Sequence, residues 1–290
     1  MTELCVHVSS IAELRAATTG ARKGGKTIGL VLTMGALHEG HAGLIRRARA
    51  RCKFVVVTIF VNPTQFGPKE DFGRYPRTLD EDLALCRREG VDLVFVPEQA
   101  EVYPPGFQSN IRVQELEQEM EGASRPGHFQ GVATVVLKLF NMAQADVSFF
   151  GQKDAQQVRV IQQMVSDLNI PIEIDMVSTV REPDGLALSS RNRYLTAEQR
   201  GHAVVLFQAL EQAHSDILGG EDRPEVIKQT IAARIAATPG AELDYVAIVD
   251  WKDLKPVKYF RGRLLIALAV RFGSTRLIDN VLMTAPITMA

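Results

Sequence analysis

The chain predicts an α/β fold in which a helix-covered parallel sheet is followed by a smaller α+β region. Three observations carry that expectation. Strand-like and helix-like segments alternate through residues 1–179, as they do in βαβ units. Residues 54–61, Phe-Val-Val-Val-Thr-Ile-Phe-Val, form a nearly unbroken apolar run, the mark of a strand covered on both faces. From residue 180 the alternation gives way to a polar loop over 181–193, followed by two helical and two strand patterns. That places the second region at 180–290, within the usual size of one domain.

Taken in order, residues 28–32 read as a buried strand and 42–52 as an amphipathic helix, followed by the strand at 54–61. Thr78-Leu79-Asp80-Glu81 reads as a capping box, opening a helix that closes at Arg87, Arg88 and Gly90. A strand at 91–96 follows. Between His128 and Gln144, Val132, Val135, Val136, Leu139 and Phe140 fall on one helical stripe. Residues 147–150 form a short strand ending at Gly151. Val158, Ile161, Val165 and Leu168 mark the next helix, and 172–177 the last strand of this half. In the second half, Thr196-Ala197-Glu198-Gln199 begins a long helix and residues 221–237 a second; 243–249 and 264–270 are strands. Trp251 is expected to pack the small region. No internal repeat or low-complexity segment interrupts the pattern.

Composition narrows the class. The 290 residues include 33 basic and 34 acidic side chains, a net charge of −1, which gives no basic stripe for nucleic acid. Hydrophobic content of 46% and charged content of 23% are those of an ordinary globular chain. Cys5, Cys52 and Cys86 form no C-x-x-C and no disulfide framework, which fits a reducing compartment. Residues 1–10 lack the pattern of a signal peptide, and no apolar run has the length of a membrane span. The expectation is a soluble cytoplasmic protein that binds neither nucleic acid nor membrane.

The strongest chemical signal is Thr33-Met34-Gly35-Ala36-Leu37-His38-Glu39-Gly40-His41. It places an H-x-G-H between a strand and a helix, where α/β sheets bind phosphate. Free backbone N–H groups and the helix dipole are expected to face the ligand there, with Gly35 and Gly40 allowing close approach. A single histidine at a helix start is ordinarily a solvated cap; two in this context point to a phosphate site. The residue types also suit a metal, but further ligands at a suitable spacing are lacking, so no protein metal site is expected.

Three more polar clusters end predicted strands, where open α/β sheets bind ligands. Asn62-Pro63-Thr64-Gln65-Phe66-Gly67 is either a simple turn or a hydroxy-acid site in which Gln65 both donates and accepts. Gly151-Gln152-Lys153-Asp154 offers a phosphate-binding lysine and a helix cap in Asp154, with Gln157 one turn further on. Leu188-Ser189-Ser190-Arg191-Asn192-Arg193 supplies hydroxyls and guanidinium groups in a loop that also links the two halves. His128 is a weaker candidate, as a helix-start residue or a contact near Arg125. His7, His202 and His214 lack supporting context.

Together with Tyr75-Pro76-Arg77-Thr78, His128-Phe129-Gln130-Gly131-Val132, residues 149–157, residues 184–194 and Arg276-Leu277-Ile278-Asp279-Asn280, these segments resemble the pantoate–β-alanine ligases, in order across nearly the whole chain. The H-x-G-H alone is similar to the wider nucleotidyltransferase group. The resemblance implies a Rossmann-like N-terminal domain with a mobile C-terminal lid, usually a homodimer. It implies condensation of pantoate with β-alanine through a pantoyl-adenylate, with ATP as co-substrate carrying Mg²⁺, releasing AMP and pyrophosphate.

By position, it implies catalytic roles for His38, His41 and Lys153. It implies ATP contacts from Met34, Gly35, Ala36, Leu37, His38, Glu39, Gly40, His41, Gly151, Gln152, Lys153, Asp154, Val180, Leu188, Ser189, Ser190 and Arg191. Gln65 and Gln157 would hold pantoate, with Gln65 also near β-alanine. The chain departs from the family pattern at Leu32, Gln152 and Ala155, where proline, glutamate and an aromatic are usual. Two other functions remain open at this point: another adenylyltransferase, which would need a further basic pocket for a phosphorylated acceptor, and a non-catalytic nucleotide-binding protein.

Overall fold

A computed structural model describes residues 5–68 and 70–285. Residues 1–4, at the start of the stretch read for a leader, and 286–290, at the end of the second region, lie outside the described residues. Alternation through the first half builds β1 (Val6–Val8), α1 (Ile11–Lys23), β2 (Ile28–Thr33), α2 (Glu39–Arg51), β3 (Phe54–Ile59), α3 (Leu79–Arg88) and β4 (Leu93–Phe95). Two single turns follow, α4 (Gln99–Val102) and α5 (Glu121–Ser124). Then come α6 (His128–Ala143), β5 (Val147–Gly151), α7 (Ala155–Asp167) and β6 (Glu173–Val177). The strands form one sheet in the order β1-β4-β3-β2-β5-β6, and its registered pairs are parallel.

The strand order reverses direction between β2 and β5, which places a crevice at their carboxyl ends. Successive residues of the central strands feed opposite cores. Leu30 and Val56 pack with α1, α6 and α7, while Val31, Val55 and Val57 pack with α2 and α3. That two-sided burial explains the apolar run of β3.

The second half contains α8 (Ala197–His202), α9 (Val205–Leu218), α10 (Pro224–Ala236), β7 (Ala241–Asp250), β8 (Arg263–Phe272) and β9 (Thr275–Thr284). Its strands form an antiparallel sheet in the order β7-β8-β9. β8 is also covered on both faces. Leu264, Ile266, Leu268 and Val270 pack with α9 and α10, while Leu265 and Ala267 join the core that contains α6 and α7. Trp251 lies in that shared core rather than in the small sheet's own, because it follows the β7 face turned toward the first half. Polar contacts reinforce the junction: Arg276 of β9 pairs with Glu121 of α5 and with Asp244 of β7.

Four local expectations are revised. Thr78 caps α3 without a side-chain bond to its backbone, because the hydroxyl donates to Asp82 Oδ1 instead. The capping box at Thr196 is real, but the helix it opens stops at His202 and a second begins at Val205. Asp154 precedes α7 without a capping bond; its carboxylate turns to Lys153. Helix α1, strand β1 and strand β9 were not among the expected elements. Among the described residues, no helix is long and apolar enough to cross a membrane.

Candidate active site

The crevice at the ends of β2 and β5 is a cleft open to solvent. It brings together residues from all four polar clusters: Met34, His38, Gly40 and His41; Gln65; Gly151, Lys153, Asp154 and Gln157; and Val180, Leu188, Ser189, Ser190 and Arg191. Five expected ATP contacts do not line it. Gly35, Ala36 and Leu37 lie in the turn behind it, Glu39 faces outward to pair with Arg46, and Gln152 turns toward Asn280.

The turn after β2 is tied down by side chains. Asp82 of α3 is 2% exposed and accepts the backbone N–H groups of Ala36 and Leu37 at 3.0 and 2.7 Å. Gly35 adopts φ +81°, and a Cβ there would stand 2.9 Å from the same carboxylate. His38 then caps α2: the Gly40 N–H donates to its Nδ1 at 3.1 Å, and the His38 N–H donates to Nδ1 of His41 at 3.2 Å. A Cβ on Gly40 would meet the His38 ring at 2.8 Å. The expected open cradle of backbone N–H groups is therefore largely consumed within the protein, and the two glycines make room for its own side chains. The Nδ1 atoms of both imidazoles are used within the turn, and their Nε2 atoms are left for the cleft.

Both imidazoles are neutral near pH 7. Burial lowers His38 to about 4, helped by Lys153 and Arg193, and lowers His41 to about 3, helped by His38. With each Nδ1 accepting, the hydrogen-bond pattern assigns the remaining proton to Nε2. The rings stand 4.2 Å apart and are tilted by 48°. Two such Nε2–H donors at a helix start, beside the Lys153 ammonium, can meet charge that develops on a phosphoryl group without losing a proton to it.

The opposite wall combines neutral amides with an apolar face. Gln65 is oriented by two contacts: its Oε1 accepts from Asn62 Nδ2 at 3.1 Å, and its Nε2 approaches Met34 Sδ at 3.0 Å. Asn62 is 1% exposed; its Oδ1 also accepts from the Tyr103 hydroxyl. His128, neutral because burial lowers it to about 4, donates from Nδ1 to the Gln65 carbonyl at 2.8 Å and accepts from Arg125. Phe60, Val132, Val135, Val136 and Leu139 form an apolar face beside Gln65 and Gln157. Thr179 also lines the cleft, and its buried hydroxyl lacks a partner among the described residues. Across the mouth, Arg191 pairs with Asp71 at 3.2 Å and the Tyr194 hydroxyl reaches the Arg74 carbonyl at 3.4 Å.

Asp82 and Thr179 are not singled out by sequence; Asn62 enters there only as part of the 62–67 cluster, and the valines only as a helical stripe. The α6 stripe was the available signal for the valines, since a helix with apolar residues on most of its circumference has one face to spare for a ligand.

Residues 6–282 match the model of a family described as pantoate-beta-alanine ligase. A pantothenate synthetase of Moorella thermoacetica is 53% identical over 276 residues, 95% of this chain and 98% of that protein. The solved pantothenate synthetase of Thermus thermophilus is 46% identical with a TM-score of 0.90, covering 95% of this chain and 98% of that one. A pantoate-beta-alanine ligase of Francisella tularensis, solved complexed with beta-gamma ATP and beta-alanine, is 35% identical with a TM-score of 0.77, covering 96% and 97%.

Proposed function

Because the chain belongs to the pantoate–β-alanine ligase family, we propose that the cleft between β2 and β5 is where its reaction takes place, with ATP on the histidine side and pantoate against α6. The chain is an ATP-dependent ligase. It condenses pantoate with β-alanine to pantothenate, AMP and pyrophosphate through a pantoyl-adenylate. The convergence of His38, His41, Lys153, Gln65 and Gln157 on one cleft is the observation that carries this assignment.

A carboxylate is a poor acyl donor, because its leaving group would be oxide. Transfer of AMP to the pantoate carboxylate replaces that leaving group with AMP. We assign the Nε2–H donors of His38 and His41, and the Lys153 ammonium, to the charge that grows on the α-phosphate and the departing pyrophosphate. Ser189, Ser190 and Arg191 lie at the mouth of the same cleft and are assigned to the nucleotide; Arg191 would exchange Asp71 for a phosphate as ATP enters. Gln65 and Gln157, neutral and able to donate and accept, suit the hydroxyls and carboxylate of pantoate. Its geminal methyl groups suit the valine face of α6. The amine of β-alanine then attacks the acyl carbon of the mixed anhydride and AMP leaves; closure of the mouth over that intermediate would shield it from water.

Magnesium is proposed to enter on ATP. No three His, Cys, Asp or Glu side chains gather as a metal site among the described residues, and Asp154 is the hard oxygen donor on the phosphate side of the cleft. Bound there, the ion would neutralise phosphate charge. A division at 179/180 and a cytoplasmic location, expected from the sequence, and a homodimer, implied by the family resemblance, complete the proposal.

One assay tests the function. ATP, pantoate and β-alanine together should give AMP, pyrophosphate and pantothenate in equal amounts. Pantoate alone should support exchange of labelled pyrophosphate into ATP. Exchange that strictly required β-alanine would remove the separable adenylate.

A further inference from the structure

The run Arg276-Leu277-Ile278-Asp279-Asn280 lies in β9, in the sheet opposite the one that carries the catalytic turn, and no step above uses it. Asn280 is 4% exposed. Its side-chain amide donates to the Gln152 carbonyl at 3.0 Å and to the Lys153 carbonyl at 2.9 Å. Its Oδ1 lies 3.5 Å from Gln152 Nε2, so the amide is directed wholly at the turn between β5 and α7.

The neighbouring Asp279 faces the other side of the sheet, as strand alternation requires. There it meets Arg181 in a two-point ion pair at 2.6 and 3.0 Å. Arg181 also donates to the Gly185 carbonyl at 3.0 Å and lies over the Phe207 ring. It thereby fixes the base of the hairpin that leads into Leu188, Ser189, Ser190 and Arg191. Asp279 accepts the Asn280 backbone N–H at 2.8 Å, which ties the two contacts together.

We propose that Asn280 is a positioning residue for Lys153: its amide grips the backbone that carries the catalytic lysine, so the β9 sheet fixes where that charge stands. A flexible ammonium on a four-carbon stem is a poor point charge unless its Cα is held. The turn containing Lys153 has no side-chain cap of its own, since Asp154 makes no capping bond to α7. The amide from β9 supplies the missing restraint. The inference rests on the assignment of Lys153 to the reacting phosphate.

The test compares Asn280→Ala, Asn280→Asp, Lys153→Ala and the Lys153→Ala/Asn280→Ala double variant. Asn280→Asp is isosteric but presents oxygen to both carbonyls. Asn280→Ala and Asn280→Asp should each lower kcat about tenfold or more, with the KM for pantoate within about twofold, because a displaced transition-state charge costs turnover rather than ground-state binding. In the Lys153→Ala background, Asn280→Ala should change kcat by less than about twofold, since residues that act as a unit are not additive.

Full additivity, or a pantoate KM that rises as far as kcat falls, would show a general structural role and overturn the inference. Normal turnover in both Asn280 variants would do so as well. Normal turnover in Lys153→Ala would remove the lysine assignment itself, and the inference with it. If the alanine form does not fold, Asn280→Ser enters the same comparison in its place.

Discussion

A neutral imidazole with its proton on Nε2 is a fixed donor, and His41 keeps that form because burial lowers it to about 3. Replacing it with alanine should lower kcat by about 10²-fold, the usual cost of one preorganised donor to a developing oxyanion. Steady-state kinetics together with a circular dichroism spectrum decide this: near-normal kcat in a folded variant would end the catalytic role. Gln157→Ala should instead raise the KM for pantoate by about 10- to 100-fold and leave that for ATP nearly unchanged, as a lost hydrogen bond to a charged group predicts. The reverse pattern would exchange the two substrate positions.

The same burial makes a pH signature. His38 and His128 fall to about 4 and His41 to about 3, while an unfolded histidine titrates near 6.5. Between those values the unfolded chain binds protons that the folded chain does not, so stability falls as pH drops from about 6.5 toward 4. The carboxylates held low by partners against the opposing effect of burial, such as Glu70 beside Arg125 and Asp71 beside Arg191, begin to add their loss only as pH falls into the ordinary carboxylate range. Thermal midpoints should therefore decline before that range is reached. The decline should be shallower in His41→Gln; an equal slope in the two proteins would contradict the buried neutral imidazole.

At the scale of elements, α6 places the turn that carries Gln65. A Cβ on Gly131 would stand 2.2 Å from the Thr64 carbonyl oxygen and 2.8 Å from the Gln65 Cα, both backbone atoms that can yield only if the turn itself moves. Gly131→Ala should push that turn away from the helix, raise the KM for pantoate and lower stability by about 1–3 kcal/mol, the cost of overpacking. Unchanged kinetics and an unchanged denaturation midpoint would show that the turn can be displaced without moving Gln65.

Elements were legible where their signal is local. The β3 run, the α6 stripe and the strand–glycine–histidine junction all follow from neighbouring residues. β1 has only three residues, too few for a period to show. β9 was hidden because Arg276, Asp279 and Asn280 interrupt its apolar alternation, and each of the three is used in a buried polar contact. α1 does announce itself locally, since Ser10 and Glu13 form a complete capping box. The residues proposed to carry chemistry, His38, His41, Lys153, Gln65 and Gln157, stand out in the sequence by type and by their place after strands, and one cleft brings them together. Asp82 and Asn280 do not stand out, because their roles depend on partners 45 and 127 positions away.

At the scale of the whole molecule, the two halves meet through an apolar surface as well as through ion pairs. Val249, Trp251, Leu254, Leu265 and Ala267 belong to the core of the first half although they come from the second. A fragment spanning residues 180–290 should therefore expose that face and associate or precipitate, which size-exclusion chromatography with light scattering would detect. A monodisperse, soluble, folded monomer would contradict the shared core.

The two-faced burial of β8 has a consequence for how such a chain can change over generations. A strand with only one buried face can be recombined with a new neighbour if the exposed face is left alone. β8 has no indifferent face: Leu264, Ile266, Leu268 and Val270 answer to α9 and α10, while Leu265 and Ala267 answer to α6 and α7. The second half is therefore not an exchangeable part. A chimera joined near residue 180 from distant relatives would inherit two surfaces fitted to different partners. Only crossovers that carry both sides of that seam together would preserve its fit.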